Sequence, residues 1–324
     1  MSVNSKTVSI ICLTYNQEKF VRDCLDGFMA QKTDFPFEIL IYDDASTDST
    51  PEIIREYALK YPNVFKPTFY TVNNYSQGLG FVGLYTGIKD ARGKYVAYCE
   101  GDDYWTDPCK LQKQVAFLEE NPQYVLCAHE TRVRNEDYPQ QNGGLFSELK
   151  SNLFISAPGR HFTFDETLTG NIFHISSMMY RNRPLELPRW LPTVSACDMV
   201  LYMLIALEGD IYVLPDVMSV YRGHVTSLTS SGTEYGSVIR FHMLSIRVLR
   251  LMNRYLKRVH QKKIYPIISR YYVECSMNYL RKSQRDTKRS KDMAHLAWCY
   301  DKGTASRFII KGLASKFTSR LCRR

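Results

Sequence analysis

The chain has 324 residues, 44% hydrophobic and 13% aromatic, enough for one core of about 220 to 250 residues plus an appended segment, which argues against a disordered chain. The net charge of +9 hides a division: residues 238–324 carry 22 Lys and Arg against 4 Asp and Glu, leaving 20 against 29 for residues 1–237. The chain therefore reads as an acidic body with a basic tail.

Val8 to Leu13 is a short, almost wholly apolar run, as expected for a strand buried on both faces of a parallel sheet. After Thr14-Tyr15-Asn16, the residues Phe20, Val21, Cys24, Leu25, Phe28 and Met29 recur at helical spacing, with Asn16 as the expected cap. The strand, turn and helix then repeat. Phe37 to Tyr42 is strand-like, Asp43-Asp44-Ala45-Ser46-Thr47 is turn-like, and Thr50-Pro51-Glu52 supplies a cap, a proline at the first helical position and an early acid. A third pair runs from a strand near Thr68 to Val72 into a helix near Phe81 to Ala91, closed by Gly93; Gly78-Leu79-Gly80 before it marks a turn. A fourth strand, Lys94 to Cys99, ends at Glu100-Gly101-Asp102-Asp103, and a helix follows from Pro108 to about Glu120.

Past a strand at Tyr124 to His129 the pattern weakens through a polar stretch near 135–159. Phe173 to Tyr180 reads as a strand, Asp198 to Leu207 as a helix, and Ile211 to Leu214 and Val217 to Tyr221 as two short strands around Pro215-Asp216. From about Ser237 the chain reads as helical and basic. Strands alternating with helices predict an α/β fold: a mostly parallel sheet with helices on both faces and a ligand site beyond the carboxyl ends of the strands, where each polar cluster named above lies. The expected domains are 1–236, with a nucleotide-binding half over about 1–125 and an acceptor-binding half over 126–236, and a helical basic region over 237–324.

Nine cysteines at scattered positions, with no Cys-x-x-Cys, suggest neither a disulfide frame nor a zinc site and favour a reducing cytosol. The first residues do not resemble a signal peptide, and no apolar run reaches the roughly 18 residues that span a bilayer.

Glu100 and Asp102, two apart at a strand end with Asp103 adjacent, can aim carboxylates at one point, which suits a hard divalent cation that also takes phosphate oxygens. Such acids repel one another unless a cation offsets the charge; the alternative is a solvated turn. Asp43 and Asp44 can accept hydrogen bonds from a base or ribose, or serve as ordinary turn formers. Trp105 can stack on a sugar face or pack in the core.

Thr14-Tyr15-Asn16, then Asp43-Asp44-Ala45-Ser46-Thr47, then Ala91-Arg92-Gly93 leading to Glu100-Gly101-Asp102-Asp103, in this order and spacing, resemble family 2 glycosyltransferases of the GT-A fold. The resemblance covers about residues 6–228. It implies that Thr14, Tyr15, Asn16, Asp43 and Asp44 hold the nucleotide, together with Glu100, Gly101, Asp103 and Trp105 in the acid loop. Glu100-x-Asp102 matches the family's Asp-x-Asp metal motif, with glutamate in place of the first aspartate and Asp102 where the metal ligand stands. Asp198, in Ala196-Cys197-Asp198-Met199, resembles the family's general base, which removes the acceptor hydroxyl proton; it can equally cap the helix. Tyr221-Arg222-Gly223-His224 resembles a segment where arginine approaches the diphosphate and histidine the metal.

The resemblance thus implies an inverting glycosyltransferase of hexosyltransferase type, with Mn²⁺ or Mg²⁺ as cofactor. It would use a nucleotide-sugar donor, UDP-linked by family frequency, and act on a glycan or lipid-linked glycan in cell-surface polysaccharide synthesis. An NAD-dependent oxidoreductase has a similar sheet pattern but needs glycine at the first turn, where Thr14-Tyr15-Asn16-Gln17 has none. A glycan- or membrane-binding scaffold that has lost turnover is the other alternative.

Within the basic tail, 306–324 places Phe308, Ile309, Leu313, Phe317 and Leu321 on one helical face and Arg307, Lys311, Lys316 and Arg320 elsewhere. That pattern fits a helix on an anionic membrane at the cytoplasmic face, or a bundle with a solvated basic side. No nucleic-acid reading module accompanies the charge.

Overall fold

Two runs too apolar for one-sided burial, Val8–Thr14 (β1) and Phe37–Asp43 (β2), lie side by side as parallel strands in register from Val8↔Phe37 to Thr14↔Asp43. They belong to a computed structural model that describes residues 7–137, 143–148, 158–170, 172–194, 197–224, 234–281 and 286–307. Phe65–Phe69 (β3) extends the parallel set beyond β2, and Tyr95–Glu100 (β4) flanks β1 on its other side. Matched registers end β1, β2 and β4 together, so that Thr14, Asp43 and Glu100 reach one rim of the sheet.

Strand alternation sorts the faces. Ile10, Cys12, Ile39 and Ile41 pack with Val21–Met29 (α1), Thr50–Lys60 (α2) and Lys110–Glu120 (α4). Ile11, Leu13 and Tyr42 meet Val82–Asp90 (α3), where a Cβ on Gly83 or Gly87 would come within 2.9 Å of their side chains. Only glycine lets that helix lie so close.

The remaining strands make the sheet mixed. They are Tyr104–Trp105 (β5), Tyr124–Asn135 (β6), Arg160–Phe162 (β7), Met179–Arg181 (β8) and Asp210–Gly223 (β9), and the order is β3-β2-β1-β4-β8-β6-β9-β5, with β7 also on β9. β8 is antiparallel to both β4 and β6, β6 and β9 are parallel, and β5 and β7 run antiparallel to β9. Between β7 and β9 stand a short helix, Phe164–Thr167 (α5), and Cys197–Ala206 (α6), of which Met199 to Ala206 are all buried.

Several elements differ from the sequence pattern. The third strand begins three residues earlier than expected, because Pro67 is tolerated on an edge strand paired only with β2. The stretch from Phe173 to Tyr180 is mostly a short helical turn, Ile175–Ser177, before β8. The two strands around Pro215-Asp216 are one strand; the register with β6 jumps from His129↔Leu214 to Glu130↔Val217, expelling the proline from the ladder. Asn16 does not cap α1, which starts at Val21; it adopts a left-handed φ of 49° instead. α2 begins at Thr50 with Ser49 in the cap position.

Residues 1–224 and 225–324 fold as two compact units. The second comprises Glu234–Tyr255 (α7), Gln261–Arg281 (α8) and Thr287–Tyr300 (α9). His242 of α7 meets Glu274 of α8 at 2.5 Å, and Ser269 of α8 donates to Ala297 O of α9 at 2.9 Å. The amphipathic stretch expected over 306–324 lies, from residue 308 on, outside the described residues. No helix among the described residues is long and apolar enough to cross a membrane.

One buried cation stands out in the core. Lys110 is wholly buried: its Nζ donates to Gln114 Oε1 at 2.7 Å and lies 4.0 Å from the centroid of the Trp105 ring. Burial drives its ammonium down to about 7. The unfolded chain therefore binds one more proton than the native chain from about pH 7 up to the ordinary lysine range, and this group's penalty on stability shrinks as pH rises through that window. Lys110→Met, similar in volume, is expected to raise the thermal midpoint at pH 7, with the gap to wild type narrowing toward pH 10. Scanning calorimetry at several pH values checks this; a gap independent of pH would contradict it.

Candidate active site

At the rim, Thr14 closes β1 and its Oγ1 donates to Asp43 Oδ1 at 3.0 Å across the strand pair. Asp43, 1% exposed, also accepts from Ser46 N at 3.0 Å and Ser46 Oγ at 2.6 Å. The β2 turn is thereby folded back onto its own strand end, with Ala45 at a left-handed φ of 60°. Asn16 links this turn to the first one: its N donates to Ser46 Oγ at 2.9 Å and its Oδ1 accepts from Thr47 N at 2.8 Å. Tyr15 between them is 44% exposed, free to present its ring to a ligand. Asp44 is committed elsewhere. Its Oδ1 accepts from Asn74 N and Nδ2 at 2.9 and 2.8 Å, and its Oδ2 from Tyr75 N at 3.0 Å, so it anchors the loop after β3.

The acid loop between β4 and β5 sits directly against Thr14. Gly101 N donates to Leu13 O at 2.9 Å, and a Cβ at Gly101 would fall 2.6 Å from Thr14 Cγ2 and 2.5 Å from Gln17 Oε1. Glycine is required by this contact. Glu100, Asp102 and Asp103 each bring a carboxylate oxygen within 4.8 Å of the others'. Burial, then Asp102 and then Asp198, push Glu100 up to about 8; Tyr98 OH, 3.4 Å from Glu100 Oε1, opposes the shift. Asp103 is raised well above the aspartate range by burial and by its two neighbours. Asp102 Oδ1 is buried without a hydrogen bond, while Oδ2 meets His224 Nε2 at 3.1 Å. An orphaned carboxylate oxygen, a histidine nitrogen and two further acids form a donor set that fits a hard or borderline divalent ion.

β9 brings the last two predicted residues to this loop and separates their roles. His224 is 7% exposed and packs on Phe20 at 4.7 Å. Arg222, 2% exposed, is turned inward: its guanidinium pairs with Asp23, donates to Asp102 O at 3.3 Å and lies over Tyr104 at 4.3 Å. Its Nε is 3.2 Å from Glu136 Oε1 at an angle that makes an ion pair without a hydrogen bond, and its backbone N donates to Asp103 Oδ1 at 2.9 Å. In this arrangement Arg222 and Asp103 brace the acid loop from inside rather than facing a diphosphate. Trp105 is likewise in the core and not on a sugar-facing surface. It is 3% exposed, its Nε1 donates to Ser176 O at 2.9 Å, and its ring lies between Phe28 and Lys110.

Asp198 stands in the first turn of α6, half-buried, and burial raises its carboxyl. Its charge contributes, after burial and Asp102, to raising Glu100, which puts the base candidate within electrostatic reach of the acid loop. The motifs missed one residue of the site. His174 lies with Nδ1 3.7 Å from Asp103 Oδ2 and stacks on Tyr221 at 4.3 Å; burial lowers it to about 4. Nothing in a run read as a strand distinguishes it from a packed histidine.

A sequence model of glycosyl transferase family 2 matches residues 9–186, more than half of the chain. An uncharacterized protein of Mycobacterium tuberculosis, Rv1520, is 40% identical over 230 residues, 69% of this chain and 61% of that one. The chain thus spans about three fifths of this relative's length. EpsH of Bacillus subtilis, a putative glycosyltransferase, is 34% identical over 260 residues, 80% of this chain and 66% of EpsH. Among solved structures, Staphylococcus aureus TarS 1–349 in complex with UDP-GlcNAc aligns with a TM-score of 0.53 at 18% identity, over 92% of both chains. The mannosyltransferase PcManGT of Pyrobaculum calidifontis, in complex with GDP-Man and Mn²⁺, aligns with a TM-score of 0.52 at 18% identity, over 96% of this chain and 80% of that one. At such identities the likeness speaks to the fold, which is GT-A. By the match of its sequence to the family over most of the α/β unit, the chain belongs to glycosyl transferase family 2.

Proposed function

We propose that the chain is an inverting, metal-dependent glycosyltransferase that moves a sugar, from UDP by family frequency, onto a hydroxyl of a glycan or lipid-linked glycan in cell-surface polysaccharide synthesis. The observation that carries this reading is the meeting of three carboxylates within 4.8 Å at a strand rim, with Asp198 acting on the same group. A solvated turn has no reason to hold one buried and two half-buried acids against their mutual repulsion. The complexes of TarS with UDP-GlcNAc and of PcManGT with GDP-Man support a nucleotide-sugar donor.

In this reading Tyr15 stacks on the base, and Thr14, Asn16 and Asp43 shape the nucleotide end. Asp44 supports that end through the loop at Asn74, while Gly101 lets the acid loop close on it. Asp102 and His224 would hold the divalent ion, Mn²⁺ or Mg²⁺, which supplies positive charge beside the donor's diphosphate. Asp198 takes the proton of the acceptor hydroxyl as its oxygen bonds to the anomeric carbon. The bond to the diphosphate oxygen breaks on the opposite face, giving inversion in one displacement. The basic region 237–324, with 22 Lys and Arg, would rest on an anionic membrane at the cytoplasmic face.

Asp198→Asn is expected to lower transfer by roughly 10²- to 10⁴-fold while leaving affinity for UDP with Mn²⁺ unchanged; Asp102→Ala is expected to lose the Mn²⁺-dependent part of that affinity. Calorimetric titration beside a transfer assay checks both, and equal loss of nucleotide binding in the two variants would defeat the division of roles.

The base must be ionised to act, and burial raises Asp198. kcat/KM should therefore climb with pH along an acidic limb centred above the ordinary aspartate value of about 3.9, because protonation below it removes the base. The residual activity of Asp198→Asn should lack this limb. A pH profile with the same limb in both proteins would assign it to another group.

A further inference from the structure

From Val238 to Val273 the sequence carries nine Lys and Arg and no Asp or Glu, and α7 sorts its share of them by helical spacing. Arg240, Arg247, Arg250 and Arg254 recur along one stripe with Met243 among them, and all five are exposed. Ser245, Ile246, Leu249 and Met252 occupy the other face and are buried. The four arginines span about 21 Å of the helix at its rise of about 1.5 Å per residue. The turn into α8 adds to the charge. Lys257 and Arg258 take left-handed φ angles of 50° and 65°, uncommon without glycine. The chain turns back there with Val259 78% exposed and with Lys262 and Lys263 also exposed. The ion pairs described in these helices join His242 and Arg270 to Glu274 and Arg289 to Asp286. Arg247, Arg254, Lys257 and Lys262 take no part in them, and the side-chain partner of Arg250 is Tyr272.

Like charges three and four residues apart on a helix repel one another, and an anionic surface laid along the stripe relieves that repulsion. The apolar residues in it select the kind of surface. Met243 is 40% exposed in the middle of the arginines, and Val259 stands out beside Lys257 and Arg258. Nucleic acid offers phosphates but no apolar phase for such side chains. At a lipid surface they enter the boundary of the acyl region while the long arginine and lysine stems carry their charges to the headgroups. We propose that the exposed stripe of α7, with the turn carrying Val259, is the face on which the protein docks to an anionic lipid surface. This rests on the reading that the basic region meets a membrane, and it names the helix face that does so.

Sedimentation of the full chain with vesicles of phosphatidylcholine, alone or mixed with phosphatidylglycerol, tests this. Wild type is expected to bind the mixed vesicles and not the neutral ones. Each cation at such a surface contributes about fivefold, so Arg247→Gln with Arg254→Gln should weaken binding by roughly 10- to 30-fold. Arg247→Lys with Arg254→Lys keeps the charge and should keep the binding. Val259→Ser should weaken it by about fivefold through lost apolar contact. Lys288→Gln with Lys291→Gln removes as much charge from the exposed side of α9 and should change binding by less than about threefold, because salt screens charges away from the docked face. Affinity for UDP with Mn²⁺, titrated on each variant, should stay unchanged, which separates docking from donor binding. Equal losses in the α7 and α9 pairs, or no loss in the α7 pair, would overturn this inference and leave the membrane reading standing. A wild type that ignores the anionic vesicles, or that leaves them for duplex DNA, would overturn both, while the UDP titration would still decide the donor reading.

Discussion

The structure turns on crowding of negative charge at one strand rim. Glu100, Asp102 and Asp103 share a space of 4.8 Å, and Asp198 adds its field from α6. Without compensation such a group disperses or takes up protons, as the upward shifts of Glu100 and Asp103 express. Compensation comes first from within. The Arg222 guanidinium, buried between Phe20 and Tyr104, ties Asp23 and Asp102 O together, and its backbone N serves Asp103. What Arg222 leaves unmet is the buried Oδ1 of Asp102, which has no hydrogen-bond partner, and in the proposed reading that shortfall is what a cation would answer.

The rest of the α/β unit can be understood as the frame for this arrangement. Matched registers bring Thr14, Asp43 and Glu100 to the same level, and the loop at Gly101 closes on Thr14 too tightly for any side chain. β5 pairs with β9 through Tyr104↔Val220 and Trp105↔Ser219, which carries Arg222 and His224 from the end of β9 to the acids. Trp105, buried against Phe28 and Lys110 and bonded to Ser176 O, fixes the position of β5 relative to the segment bearing His174. Energy of burial is thus converted into placement of charge, which is how binding sites for charged ligands are preorganised.

Much of this was legible in the residues themselves. The apolar runs at Val8 and Phe37, the glycine before Tyr95 and the acids after Cys99 marked the parallel strands and their ends, because doubly buried strands leave an unbroken apolar signal. The second half was less legible for physical reasons. β8 is three residues long, β9 passes through Pro215 by a bulge, and β3 carries a proline that only an edge strand accepts. Residue type also misled within the site. An arginine, an aspartate and a tryptophan near a diphosphate motif look like ligand groups, yet Arg222, Asp103 and Trp105 spend their chemistry on one another's neighbourhood. The orientation of a side chain is set by tertiary partners such as Asp23 and Ser176, and no local pattern encodes it. His174 was invisible for the same reason.

The most direct test of the account is crystallographic. Crystals grown with UDP and Mn²⁺, measured at the manganese absorption edge, should show one anomalous peak bridging Asp102 and His224 to the diphosphate oxygens, with Arg222 still buried behind the loop. A peak at other residues, or a diphosphate bound away from the acid loop, would contradict the claim that the crowded carboxylates exist to hold a cation for the donor.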